Sequence, residues 1–363
     1  MDDRIFSRLL GNIMPGAVHV ITGQNGSGKS RFFEFSTREI LKSLNTTSAK
    51  FSQLLCMAGT MHDKYPRDIY MEKVREDVIY LGNKVNNNMV SDISPFRTLA
   101  PHVLDAENGA YEHHQLLEAF LSALSFGKMV RLRFRYGKGR KADVIGSVGT
   151  ELTIDLTEPL ELEGDAKAFK ERAAKGDILL SDFMFERQGH FYGLSDLSSG
   201  EKQYLLSLFG VLFCARPGTI IFFDEPENSL HPSWQLKIAR DITRAAAELQ
   251  ATATVVIATH SPLVASSLSN DGIYLCDFPS GQAWRSVTLH GRSADIVLRD
   301  QFHLFSARSP EVSAILNACL SLISEGRENG EEFRSRQVAL REMNLNLTED
   351  DPLSDVVLTI LGI

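Results

Sequence analysis

Three short clusters in this 363-residue chain carry side chains able to handle a phosphorylated ligand. The first is Gly23-Gln24-Asn25-Gly26-Ser27-Gly28-Lys29-Ser30, with a glycine, four residues and then Gly-Lys-Ser. That is the spacing of a phosphate-binding loop. Glycines at 23, 26 and 28, with Asn25 and Ser27 between them, let backbone N–H groups curl around phosphate oxygens, and a following helix N-terminus adds partial positive charge. Lys29 then reaches the β- and γ-phosphates of a triphosphate, and the Ser30 hydroxyl holds Mg2+. The second cluster is Asp224-Glu225-Pro226-Glu227-Asn228-Ser229-Leu230-His231-Pro232. Asp224 is suited to position Mg2+ and its water, and Glu225 to polarise an attacking water as general base. The third is Thr259-His260-Ser261-Pro262, whose imidazole can donate to a γ-phosphate and so report its presence.

Each cluster needs an element that aims it. The apolar run Val18-His19-Val20-Ile21 precedes the loop, and helical spacing continues from Ser30 to about Leu44. Thr219-Ile220-Ile221-Phe222-Phe223 is continuously apolar, as a strand buried on both faces is, and it delivers Asp224 at its C-terminal edge. A second buried strand, Ala253 to Ala258, delivers His260, and a helix over Ser233 to Leu249 lies between the two. Strands are also expected at Phe51–Ala58 and Ile178–Phe185, and a helix at Glu201–Cys214. Alternating strand and helix imply a mainly parallel sheet covered by helices. Taken alone, each cluster has a plainer explanation: a glycine-rich turn, an acidic loop, a structural histidine. Their shared position after apolar strands favours one phosphate site.

Composition narrows the classes further. Thirty-eight basic against 46 acidic side chains give a net charge of −8, which argues against a surface that is basic throughout. Cys56, Cys214, Cys276 and Cys319 show no paired spacing for zinc or thiol exchange, so buried reduced thiols are expected. No apolar run approaches bilayer length and the acidic N-terminus leads into no secretory core, so a cytoplasmic protein without a membrane partner is expected.

In this order, the Gly23–Ser30 loop, Leu197-Ser198-Ser199-Gly200-Glu201, Asp224-Glu225-Pro226 and His260 resemble the ABC-type ATPase superfamily. Leu-Ser-Ser-Gly-Glu together with Glu227-Asn228-Ser229-Leu230-His231-Pro232 is closer to its soluble branch: RecF-like and SMC-like repair ATPases, OLD-family ATPases and the ATPases of Septu-type anti-phage systems. Weaker echoes are Asp63-Lys64-Tyr65-Pro66, Ser293 to Asp300 and Glu349-Asp350-Asp351-Pro352. The resemblance implies ATP and Mg2+ as cofactors. It also implies a head-to-tail homodimer in which Ser198 and Gly200 of one copy close over the γ-phosphate held by Lys29 of the other. The same Ser198 can equally be an ordinary helix cap. The Mg2+-contacting glutamine of such families has no counterpart in its usual place. Gln53 lies early in its strand, and the turn after that strand offers Thr60, His62 and Asp63 instead. An adenine-stacking aromatic also has no clear counterpart.

The expected fold is thus α/β, a P-loop NTPase of ABC-ATPase type with a mainly parallel sheet, a small mixed α/β insert and a helical C-terminal tail. The ATPase core is divided over 1–100 and 177–292, with the insert at 101–176 and the tail at 293–363. Residues 68–101 read as loop and short elements. In the insert, a helix is expected at Tyr111–Leu124, a hairpin from Val130 through the turn Gly137-Lys138-Gly139-Arg140, strands at Asp143–Val148 and Leu152–Leu156, and a helix at Ala166–Lys175. Strict alternation along Val130–Tyr136 puts Arg131, Arg133 and Arg135 on one face, flanked by Lys128, Lys138, Arg140 and Lys141. Such a ribbon either grips a nucleic-acid backbone or acidic protein, or is a solvated outer face.

The function these residues imply is ATP hydrolysis that governs a separate effector, such as a nuclease, in anti-phage defence or DNA maintenance. The region after His260 shows no acidic metal-binding constellation of the kind found in fused nuclease domains. Alternatives are a non-enzymatic ATP-binding scaffold or sensor, and the ATP-binding subunit of a transporter. The second is disfavoured because Ser229-Leu230-His231-Pro232 stands where transporters carry Ser-Ala-Leu-Asp.

Overall fold

The computed structural model describes residues 2–44, 46–60, 63–71, 76–86, 89–137, 150–161, 165–249, 252–268, 272–287, 310–343, 345 and 354–362. They fall into two compact units, 1–294 and 295–363.

The first unit is built on a seven-stranded sheet. Its strands are β1 (Val18–Thr22), β2 (Gln53–Ala58), β3 (Val78–Leu81), β10 (Thr219–Asp224), β11 (Thr254–Ala258), β12 (Ile273–Asp277) and β13 (Arg285–Val287). They lie in the order β13-β12-β1-β11-β10-β2-β3, and every pair is parallel except β12 with the edge strand β13. Sequentially distant strands sit side by side, so helical crossovers must cover the faces. That is why β10 and β11 are buried at every residue and read as unbroken apolar runs. This is the mainly parallel sheet of a P-loop NTPase.

The register matters for function. Asp224 of β10 lies opposite Ala58 of β2 on one side and Ala258 of β11 on the other. Backbone bonds carry the ladder past the strand ends, from Gly59 N–H to the Asp224 carbonyl, Glu225 N–H to Ala258 and Thr259 N–H to Ile21. The sheet therefore ends in one row, and the three chemistry-bearing loops leave from it together.

Helix α2 (Lys29–Ser43) follows β1 and buries Lys29, Phe32, Phe33, Ser36, Thr37 and Ile40, a single stripe at three- and four-residue spacing. Phe33 stacks on Phe222 of β10 with ring centroids 4.7 Å apart. Each such fully buried ring contributes about 2–3 kcal/mol of transfer free energy. Helix α1 (Asp3–Gly11), capped by Asp2, packs Phe6 edge-on to Phe32. Helix α8 (Pro232–Leu249) makes the crossover from β10 to β11.

Residues 68–101 are more regular than their composition suggests. Besides a turn of helix, α3 (Asp68–Met71), and the short strands β4 (Lys84–Asn86) and β5 (Met89–Val90), they hold β3 and a ten-residue helix, α4 (Ser94–Val103). Pro95 occupies the first turn of α4, where no amide hydrogen is missed, and Pro101 lies inside the helix within its last turns. Two prolines in ten residues hide the helix from periodicity.

A second, antiparallel sheet is ordered β7-β6-β8-β9, from β6 (Met129–Tyr136), β7 (Glu151–Asp155), β8 (Ile178–Arg187) and β9 (His190–Tyr192). Strand β8, expected to open the second half of the core, pairs along β6, so this sheet continues past residue 176 to Tyr192. The expected helix at 111–124 is a 3-10 turn, Gly109–His113, leading into α5 (His114–Ala123), and α6 spans Asp165–Ala174. Helix α4 seals this sheet through Phe96, whose ring lies 5.6 Å from that of Phe183. Helix α7 (Ser199–Phe209) ends in a wider π-turn at Gly210–Cys214 and is almost wholly buried.

The second unit has helices at Pro310–Ser324, Glu331–Glu342 and Ser354–Leu361 around a core including Leu316, Cys319, Phe333, Leu340 and Ile360. All four cysteines are buried free thiols. Among the described residues no helix is long and apolar enough to cross a membrane. The expected strand at 143–148, the turn residues Lys138, Gly139 and Arg140, Lys141, His62 and the segments 293–300 and 349–352 lie outside the described residues.

Candidate functional site

The phosphate loop leaves β1 at Thr22 and enters α2 at Lys29. Gly23 and Gly28 have φ of 143° and 109°, which side chains rarely adopt, and a Cβ at Gly23 would stand 2.5 Å from the Phe278 carbonyl oxygen. Gly28 caps α2 without any side-chain acceptor, so no side chain satisfies the first amides of the helix. Helix starts of this kind are anion sites. Asn25 and Gly26 are exposed at the loop tip, while Lys29 is buried with its ammonium donating to the carbonyls of Gly23, 2.9 Å, and Gln24, 3.2 Å. Burial lowers the Lys29 pKa, against the opposing pull of Glu225, Glu227 and Asp224.

Asp224 ends β10 only 1% exposed, and neither of its carboxylate oxygens meets a partner at hydrogen-bonding geometry. Desolvation pushes its carboxyl up to about 7, opposed by the nearby Ser30 hydroxyl and Lys29 and reinforced by Glu225 and Asp63. A buried carboxylate without donors, beside a hydroxyl at a helix start, fits an oxygen-ligated Mg2+ shared with phosphates. The residues that would hold the ion are therefore Ser30 and Asp224.

Glu225 turns out of the sheet with φ 50°, a left-handed conformation uncommon for a residue with a side chain. Gly59 makes room for that turn, because a Cβ there would run into the Glu225 carbonyl. The turn sets Glu225 Oε1 3.8 Å from Lys29 Nζ and 3.6 Å from His260 Nδ1, and Asn228 donates to Oε2 at 3.0 Å. His260, then Asn228 and Lys29, hold the Glu225 carboxyl down at about 2, while the same contact raises the His260 pKa. Lys29, Glu225 and His260 thus converge from three separate loops.

Residues to which sequence reasoning gave no role complete the site. Glu227 is buried, and its Oε1 accepts from Thr259 Oγ1, His260 N and Ser261 N. Gln235 on α8 reaches both the Leu230 carbonyl and the Ser261 hydroxyl. Where a Mg2+-contacting glutamine is missing, Asp63 is buried and accepts from Tyr80 Oη at 2.8 Å, with the Lys84 ammonium also against it. Tyr65 Oη lies within hydrogen-bonding distance of the carbonyls of Met57 on β2 and Phe222 on β10. The turn sequence quoted above contained Asp63 and Tyr65, but burial and partners 8 to 157 residues away along the chain are what give them a role.

The signature residues stand apart from Lys29. Ser198 caps α7 in a reciprocal box with Glu201, which Arg187 also pairs at 2.5 Å, and Ser198 remains exposed. Gly200 is buried against the Asp-Glu loop, where a Cβ would be 2.7 Å from the Ser229 carbonyl oxygen. Among the described residues no hydrogen bond or ion pair joins Ser198 or Gly200 to the phosphate loop.

Along β6 the arginines do share one exposed face, but with counter-charges on it. Arg133 pairs with Glu151 at 2.6 Å, Arg131 lies 4.0 Å from the same carboxylate and over the Phe191 ring, and Lys128 pairs with Asp155.

Comparison with solved structures gives matches of low identity. CbiO1 from Clostridium perfringens, part of the ABC transporter complex cbiONQ, is 13% identical over 80% of this chain and 82% of its own, with a TM-score of 0.34. The SmcHead bound to the C-winged helix domain of ScpA is 10% identical over 77% and 92%, TM-score 0.35. UvrA2 from Deinococcus radiodurans is 15% identical over 83% of this chain and 37% of its own, TM-score 0.32. No curated protein matches the sequence. A family model described as "AAA domain, putative AbiEii toxin, Type IV TA system" matches residues 79–266, a span that holds Asp224, Glu225 and His260 and starts after the phosphate loop. Its sheet, phosphate loop, signature helix and acidic strand end resemble those of ABC-type P-loop ATPases, and since the family match covers more than half of the 363 residues, the chain belongs to this family of AAA-domain proteins.

Proposed function

We propose that this chain binds ATP at Gly23–Ser30, hydrolyses it with Glu225 as general base, and uses the nucleotide state of a homodimer to govern a separate effector protein. The observation that carries the reading is the convergence of Lys29, Glu225 and His260 within 3.8 Å contacts at the C-terminal edge of one parallel sheet. A Glu225 kept ionised by its neighbours is ready to accept a proton from water, and Lys29 supplies the charge that a γ-phosphate would meet. His260 adds a donor on the other side. When bound, Mg2+ would neutralise phosphate charge beside Ser30 and Asp224.

The position of the signature supports the dimer reading. Ser198 is exposed at the start of α7, its amide and hydroxyl bonded to Glu201 and its carbonyl accepting from Lys202, so the exposed helix start faces outward rather than to the loop of its own chain. The effector, a nuclease or another defence protein, would read that dimer. The family description, which names a toxin of a type IV TA system, supports placing the process in anti-phage defence or DNA maintenance. Nucleic acid, if it is the partner of β6, meets a face already partly neutralised by Glu151 and Asp155.

The test is phosphate release by the wild type and by Glu225→Gln, with nucleotide binding measured on both. Turnover lost by about 100-fold or more with binding retained is the expected outcome. Equal rates would leave an ATP-binding scaffold.

A further inference from the structure

Glu227 is a buried carboxylate that hydrolysis, as derived above, does not use. It sits three residues beyond Asp224 and is 4% exposed. One oxygen, Oε1, gathers the whole segment that carries His260: Thr259 Oγ1 at 2.7 Å, the His260 amide at 2.7 Å and the Ser261 amide at 3.2 Å. The same oxygen lies 3.1 Å from His260 Nδ1, closer than Glu225 at 3.6 Å, although neither carboxylate meets Nδ1 at hydrogen-bonding geometry. The other oxygen, Oε2, is buried without a partner. Desolvating a carboxylate in this way is unfavourable and is offset only by the donors gathered on it.

We propose that Glu227 is a positioning residue for His260: it fixes the backbone of 259–261 and occupies the Nδ1 side of the ring, so that Nε2 is the edge presented to the nucleotide. The proposal rests on the ATPase reading above and adds to it the residue through which the acidic loop and the histidine loop move as one. Nδ1 faces two carboxylates from the acidic loop, and Lys29 from the phosphate loop is the one cation acting on the ring among the described residues. Nε2 has no partner among the described residues, and the ring is about a third exposed. The acidic loop, with carboxylate oxygens 3.1 and 3.6 Å from Nδ1, favours the charged ring, in which both nitrogens carry protons and Nε2 is a donor for phosphate oxygen. A neutral side chain at 227 that still accepts from the three loop donors would keep the loop and lose this bias.

Glu227→Gln is that variant. The first measurement is the titration of His260 in nucleotide-free protein, followed by NMR of its ring nitrogens. The wild-type ring is expected to titrate above the ordinary histidine range with Nδ1 protonated in the neutral form, and Glu227→Gln is expected to lower that midpoint by about one pH unit or more. The second is steady-state ATP hydrolysis in a double-mutant cycle with His260→Ala. Glu227→Gln should lower kcat at least about tenfold with KM changed less than about threefold, and should have no further effect once His260 is alanine.

A wild-type ring that titrates at or below the ordinary value, or an unmoved midpoint in Glu227→Gln, would overturn the proposal. So would an equal loss of kcat in the His260→Ala background. The titration needs no turnover, so an inactive wild type would remove the ATPase reading while leaving the role of Glu227 still decided by NMR.

Discussion

The Lys29 ammonium and the Glu225 carboxylate lie 3.8 Å apart, so the cation proposed to meet phosphate is paired with the carboxylate proposed as general base. Phosphate oxygens must compete with Glu225 for that charge. Glu225→Gln should therefore bind ATP more tightly than the wild type, by about three- to tenfold, because a buried cation released from its counter-ion gains more from the ligand. Calorimetric titration at low temperature, before turnover matters, measures this. Unchanged affinity would mean that the two groups do not compete.

Gly59 abuts the backbone of the same residue. Its backbone lies so near Glu225 that a methyl group would strike the Glu225 carbonyl, and its own amide donates to the Asp224 carbonyl at 2.8 Å. Gly59→Ala should move both acidic residues together. We expect kcat to fall by about tenfold or more and the melting temperature by a few degrees, with ATP still bound. Enzyme kinetics and a thermal melt on one preparation test both.

His19 supplies an acid limit. It is buried in β1, its Nε2 accepts from the Met14 amide, and its ring stacks on Tyr274. Burial, helped by Lys50 and opposed by a backbone contact at Ala17, lowers its pKa to about 4. The unfolded chain takes up this proton near 6.5 and the folded one only near 4, so stability is full above the first value and declines as pH falls towards the second. The loss amounts to about 3 kcal/mol. His19→Gln, which keeps an acceptor but does not titrate, should flatten the acid limb of stability measured by denaturant unfolding. An equally steep limb would assign it to other groups.

Tyr65 ties β2 to β10 through one hydroxyl near two strand carbonyls. Tyr65→Phe keeps the stacking on Phe33 but leaves those carbonyls one donor short. The expected cost is about 1 kcal/mol, a shift of a few degrees in the melt, with ATP affinity within about twofold of the wild type. A much larger loss of affinity would give Tyr65 a direct part in the site.

What the sequence made legible was whatever is local. The phosphate loop, the Asp224-Glu225 pair and His260 could be read because each is a contiguous motif after an apolar strand, and the buried strands because two covered faces leave no polar positions. What stayed hidden depended on contacts across the chain. Helix α4 was masked by Pro95 and Pro101, and β3 by its four-residue length. Strand β8 looks the same in sequence whether it joins the parallel sheet or the antiparallel one. Pairing with β6 decides it. Glu227 and Asp63 stand in quoted motifs, but what they do is set by partners 32 and 17 residues away that enclose them.

The central claim is that a triphosphate is held by the Gly23–Ser30 loop through Lys29. Equilibrium binding of MgATP to wild type and Lys29→Ala, with both variants shown to be folded by their thermal melts, tests it most directly. The account predicts a loss of affinity of at least about tenfold in Lys29→Ala. Equal affinity in the two proteins would contradict it.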